Sequence, residues 1–156
     1  MAIPEILTTT LVASMDEAFA MMIGRSVEYQ IDGPELPAGW RAHVAASIAF
    51  AGHRNGIVCI HSSADAAKSI TGGMLGLEPS EVNGEISDAM GEVANLVVGS
   101  FRTKLAAVEP TSFITVPTVT VGSDFSTRYS SNSARGLYHV RMDDEWLLVE
   151  LILMDR

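Results

Sequence analysis

One cysteine in 156 residues excludes an internal disulfide, and its place in the run Ile57, Val58, Cys59, Ile60 is that of a buried strand thiol rather than a nucleophile. Basic residues are also few, 10 Lys and Arg against 19 Asp and Glu, for a formal charge of −9. So acidic a chain opposes the counterion release on which nucleic-acid binders depend, and it suits an anionic membrane surface poorly. Although 47% of the residues are hydrophobic, no apolar run nears the roughly 20 residues of a membrane span. Residues 1–11 carry neither a basic n-region nor a small-residue cleavage site, so no secretory leader is expected and a cytoplasmic location follows. The four histidines lack ligand spacing: His43, His61 and His139 fall on separate expected strands and His53 in a turn, positions of polar strand or surface residues rather than metal ligands.

What remains is a chain of one-domain length, expected to form a single domain over residues 1–156, whose periodicity interleaves helices with β segments in a mixed α/β (α+β) class. Leu11, Met15, Phe19 and Met22 recur at helical spacing over residues 10–23, with Thr8 to Thr10 as N-cap and Gly24 as stop. A Gly/Pro-rich loop follows through Gly33, Pro34, Pro37 and Gly39. Residues 42–51 and 56–61 predict a strand pair joined through His53, Arg54, Asn55 and Gly56, the Asn-Gly pair supplying positive φ angles. A shorter helix is expected from Ser63 or Asp65 to Gly72 and Gly73, or one turn further to Gly76, before a loop with Pro79. Residues 112–121 are rich in β-branched side chains and interrupted by Pro117, which predicts an edge strand or a bulge. A serine-rich loop (Ser126, Ser130, Ser131, Ser133) then leads to a hairpin of residues 137–142 and 146–154, closed by Asp143, Asp144 and Glu145 as turn residues rather than metal ligands. Ser62 beside His61 makes no hydrolase pair, since neighbours on a strand point to opposite faces.

The longest periodic segment covers residues 83–105, where Ile86, Met90, Val93, Val97, Phe101 and Leu105 form an apolar stripe. Asp88, Glu92, Asn95, Gly99 and Arg102 share the opposite sector, because steps of three and four return to one side of a helix. Glycine there costs about 1 kcal/mol relative to alanine. Two readings of Gly99 are open: close packing or plain solvation within the fold, or an unobstructed approach for another protein's backbone beside Asn95. A faint repeat aligns EAFAMMIG from Glu17 with EVANLVVG from Glu92, matching Met21 to Leu96 and Gly24 to Gly99 while Ala20 stands where the second copy has Asn95. It predicts two related helices beside a sheet, one of which keeps the polar face.

The string DAMGEVANLVVGSFRTKLA, residues 88–106, resembles the D/S-x-x-x-E-x-x-N signature of the CheC, CheX and FliY chemotaxis phosphatases, with Asp88, Glu92 and Asn95 at its polar positions. Pro117 resembles the downstream proline, one residue closer than the usual pattern, and the segments AASIAFAG, NGIVCIHSS and AKSITGGMLGLE resemble the strand, strand and helix that precede the motif. A bare E-x-x-N says little; this context carries the similarity. A single motif, with alanine at position 20, matches the CheX-like pattern. The resemblance implies a CheC/CheX-like fold, two long helices and a shorter one on a mostly antiparallel sheet, with frequent homodimerisation by strand exchange. It also implies action on a phosphorylated CheY-like response-regulator receiver.

The chemistry suits these side chains. A receiver's acyl phosphate sits beside a metal ion and a lysine of the receiver, so the phosphatase needs no cofactor of its own and has only to place a water in line with phosphorus. The Asn95 carboxamide can accept from that water and donate to a phosphoryl oxygen, while Glu92 pairs with the receiver lysine. Asp88, Gly99 and Arg102 are supporting or partner-binding positions. The same helix also suits a receiver-binding adaptor that does not hydrolyse, or a structural subunit of the flagellar-switch type.

Overall fold

The computed structural model describes residues 2–25, 27–31, 36–123, 125–127 and 133–154. Gly33, Pro34, Ser130 and Ser131 of the expected loops lie outside the described residues. The first helix, α1 (Glu5–Ile23), starts earlier than its apolar spacing suggests, with Pro4 in extended backbone before it and no side-chain cap. Thr8 to Thr10 therefore do not cap: Thr9 Oγ1 instead bonds back to the Glu5 and Ile6 carbonyls, and Thr8 Oγ1 meets the Tyr138 hydroxyl at 2.9 Å. Gly24 ends the helix in the left-handed region (φ 63°), its N–H donating to the Ala20 carbonyl.

α1 also corrects the expectation that no segment approaches membrane-spanning length, since its 19 residues meet that measure by length and composition. One such helix is weak ground for a span, and the fold gives its apolarity another use. Leu7, Leu11, Met15, Ala18 and Phe19 are buried in the common core.

The remaining elements follow as β1 (Glu28–Ile31), β2 (Val44–Gly52), β3 (Asn55–Ser62), α2 (Ala64–Leu75), a 3-10 turn (Pro79–Glu81), α3 (Ile86–Leu105), β4 (Thr111–Ile114), β5 (Thr118–Val121), β6 (Ala134–Met142) and β7 (Glu145–Met154). Ser63 caps α2 by accepting from the Ala66 N–H, and the helix runs to the later of its two expected stops, Gly76. β1 was not foreseen. It adds an edge to β6.

The sheet has the order β1-β6-β7-β3-β2-β4, with β5 also on β2, and every strand pair is antiparallel. Alternate residues face the helices, for example Val44, Ala46, Ile48 and Phe50 on β2 and Leu147, Val149, Leu151 and Leu153 on β7, and these join the helix stripes in one core. The helices thus cover one face of the sheet, as expected for this class. Residues 115–117 separate β4 from β5, so Pro117 interrupts the edge as its missing N–H requires.

The β2–β3 connection departs from the sequence expectation. Asn55 and Gly56 belong to β3 and have no positive φ; the turn is His53 and Arg54, with Asn55 Oδ1 accepting from the Gly52 N–H. Glycine is required at 56 for space, because a Cβ there would collide with the Phe50 ring and stand 2.5 Å from the Ile152 carbonyl oxygen. In the β6–β7 hairpin the positive φ falls on Asp143 (54°). Asp143 also pairs with Arg25 at 3.1 Å.

Candidate functional site

α3 carries Asp88 in its first turn and Arg102 and Lys104 in its last, charges that favour the helix dipole at both ends. Met90, Val93, Val97, Phe101 and Leu105 of the expected stripe are buried. On the opposite side Asp88 and Glu92 are exposed, and Asn95, Gly99 and Arg102 are half-buried. Among the described residues, neither the Glu92 carboxylate nor the Asn95 carboxamide makes a hydrogen bond within the chain. Neither group spends its bonding capacity on a described residue.

Asn95 stands at the wall of a groove of about 280 Å³ between α1 and α3, lined also by Glu17, Met21, Leu96, Gly99 and Lys104. Lys104 Nζ lies 2.6 Å from Glu17 Oε2 and holds that carboxyl below its ordinary range. Met21 is 72% exposed on the rim. A Cβ built on Gly99 would meet nothing within 4 Å, so close packing inside the fold does not account for this glycine. Gly91 differs, since a Cβ there would touch Val119 and Pro117.

The motif on α3 carries no signal for the α1 wall of the groove. The faint repeat, which pairs Glu17 and Met21 with Glu92 and Leu96, foreshadows two helices side by side but does not extend to its glycines. Gly24 terminates α1, whereas Gly99 sits inside α3.

A second polar cluster lies on the sheet face away from the helices. His61 on β3, Glu150 on β7 and Arg135 on β6 meet there, with Arg135 Nε donating to Glu150 Oε2 at 2.7 Å and His61 Nε2 at 2.7 Å from Glu150 Oε1. Burial opposes the charged imidazole, but Cys59 and Glu150 beside it outweigh burial and raise His61 to about 9. Burial likewise opposes the Glu150 carboxylate, yet His61 and Arg135 hold it below its ordinary range. His61 is thus buried and paired rather than an ordinary polar strand residue. The single carboxylate inside the apolar run of β7 was the available signal.

A family model for the chemotaxis phosphatase CheX matches residues 44–141, a stretch that contains Asp88, Glu92, Asn95, Gly99, Arg102 and Pro117. No curated protein gives a significant match. Among solved structures, the chain is similar to a CheX protein from Desulfovibrio desulfuricans (18% identity, 95% of this chain and 99% of that one, TM-score 0.79). It is also similar to CheX from Vibrio vulnificus (21% identity, 95% and 96%, TM-score 0.80). A third likeness is to the CheX–CheY–BeF3–Mg complex from Borrelia burgdorferi (17% identity, 95% and 97%, TM-score 0.75). At these identities the structures establish the fold, while the family match spans more than half of the 156 residues. The chain belongs to the CheX family of chemotaxis phosphatases.

Proposed function

We propose that this protein dephosphorylates the aspartyl phosphate of a CheY-like receiver, with Asn95 positioning the attacking water and Glu92 docking on the receiver lysine. The observation that carries this reading is a carboxylate and a carboxamide one helical turn apart on α3, without hydrogen-bond partners in their own chain among the described residues. Water oxygen attacks phosphorus, the bond between phosphorus and the aspartyl oxygen breaks, inorganic phosphate leaves and the receiver carboxylate is restored. The divalent metal that stabilises developing charge belongs to the receiver, so the phosphatase brings no cofactor of its own. Asn95 contributes positioning and a neutral donor and acceptor, which does not titrate near neutral pH. The similar Borrelia structure, a CheX–CheY complex, supports a receiver as partner.

Decay of receiver phosphate followed with wild type and with Asn95→Ala tests this. The variant should lose roughly hundredfold of the acceleration, the scale of a positioning effect, while still binding the receiver. Equal rates in the two proteins would refute the enzymatic reading; receiver binding without acceleration then leaves the adaptor, which keeps Glu92 for docking and has no use for Asn95, and neither binding nor acceleration leaves the structural subunit.

The same proposal covers one CheX-like domain over residues 1–156, a cytoplasmic location and a homodimer by strand exchange. The β4–β5 edge supports the dimer, because Phe113 and Val116 are 60% and 83% exposed there beside β2. Sedimentation equilibrium at micromolar concentration should give twice the chain mass, and a monomer would remove this part.

A further inference from the structure

The sheet face away from the helices holds a cavity of about 350 Å³, lined by Trp40, Arg41, His61, Phe125, Arg135 and Glu150 together with the hydroxyls of Ser123, Ser126 and Thr127. It lies apart from the α1–α3 groove and shares no residue with it. In a chain of net charge −9 the charged lining is nevertheless cationic among the described residues, with Arg41, Arg135 and His61 against the carboxylate of Glu150. The floor is built rather than incidental: His61 is 5% and Glu150 2% exposed.

His61 Nε2 lies 2.7 Å from Glu150 Oε1 and Arg135 Nε donates to Glu150 Oε2, so one buried carboxylate anchors both groups at the floor of the cavity. Trp40 is fixed, because its Nε1 donates to the Trp146 carbonyl at 3.0 Å, and Phe125 and Leu148 add apolar surface. Two guanidinium groups and three hydroxyls match the oxygens of a phosphate; the aromatic walls match a flat ring.

We propose that this cavity binds a small organic phosphate that carries a planar ring, a ligand of mononucleotide class, with Arg41 and Arg135 on the phosphate and Trp40 and Phe125 against the ring. The site works independently of dephosphorylation on α3. Its volume falls in the range of small-ligand sites.

Isothermal titration of the full chain with adenosine 5′-monophosphate, adenosine and inorganic phosphate tests the proposal. The monophosphate should bind saturably and more tightly than either fragment. Arg41→Glu should weaken it by roughly tenfold or more, the loss of one charge-assisted bond. Arg41 is exposed and has no partner among the described residues, so this variant keeps the fold even if Arg135→Gln, which strips Glu150 of its guanidinium, does not. Asn95→Ala should bind the monophosphate as wild type does. No saturable binding at millimolar ligand overturns the proposal, as does wild-type affinity in Arg41→Glu. Adenosine binding as tightly as the monophosphate removes the phosphate subsite, and inorganic phosphate doing so removes the ring subsite; either result overturns the assignment.

Discussion

Gly99→Ala separates the fold's needs from the partner's. Gly99 lies inside α3, where glycine costs about 1 kcal/mol relative to alanine. A Cβ at this position meets no atom within 4 Å, so the substitution incurs no clash in the chain itself. Alanine should therefore stabilise the protein by about 1 kcal/mol and raise Tm by about 2–4 °C for a chain of this length. The added methyl would project beside Asn95 into the α1–α3 groove, which both residues line. If a receiver backbone approaches there, kcat/KM for receiver dephosphorylation should fall by roughly tenfold, equivalent to about 1.4 kcal/mol of transition-state stabilisation. Thermal unfolding and phosphate-decay time courses over a range of receiver concentrations measure both quantities on one preparation. A gain in stability accompanied by a loss of activity cannot arise from misfolding. A raised Tm with unchanged kcat/KM would refute the contact assigned to Gly99, and a lowered Tm would refute the open space around it.

Glu92→Gln keeps the size of the side chain and removes its charge, so it should raise KM for the phosphorylated receiver and flatten its salt dependence, with kcat less affected; an unchanged KM at low salt rules out docking through this carboxylate. The His61–Glu150 pair makes a separate prediction about stability. Because the folded His61 value is raised from 6.5 to about 9, its contribution is complete below about pH 6.5 and declines as pH rises to about 9. At about 1.4 kcal/mol per unit the shift bounds this loss at roughly 3 kcal/mol. Glu150 acts in the opposite direction, since its lowered value gives stability that is lost as pH falls below 4.5. Urea midpoints taken from pH 6 to 9 should fall in wild type and stay flatter in His61→Gln; parallel profiles would show that another group governs the slope.

By itself the sequence determined what depends on neighbours within a few residues along the chain. The α3 stripe from Met90 to Leu105, the left-handed stop at Gly24, the Ser63 cap and the break at Pro117 are all of this kind, because helical spacing, caps and the missing proline N–H act locally. Placement of Glu92 and Asn95 on one outward sector follows from the same periodicity. Where two local signals competed, the nearer one misled: the threonines before Leu11 suggested a cap although the helix begins at Glu5, and Asn55-Gly56 suggested a turn although glycine serves there to admit Phe50 and Ile152. Only the tertiary structure brought Glu17 and Met21 against Asn95, from positions more than seventy residues away in the chain, and set Gly99 in open space. It alone joined His61, Arg135 and Glu150 from three strands into one buried cluster. Such contacts depend on strand order and helix docking, which are decided by burial of the whole core, and no spacing along the chain encodes them.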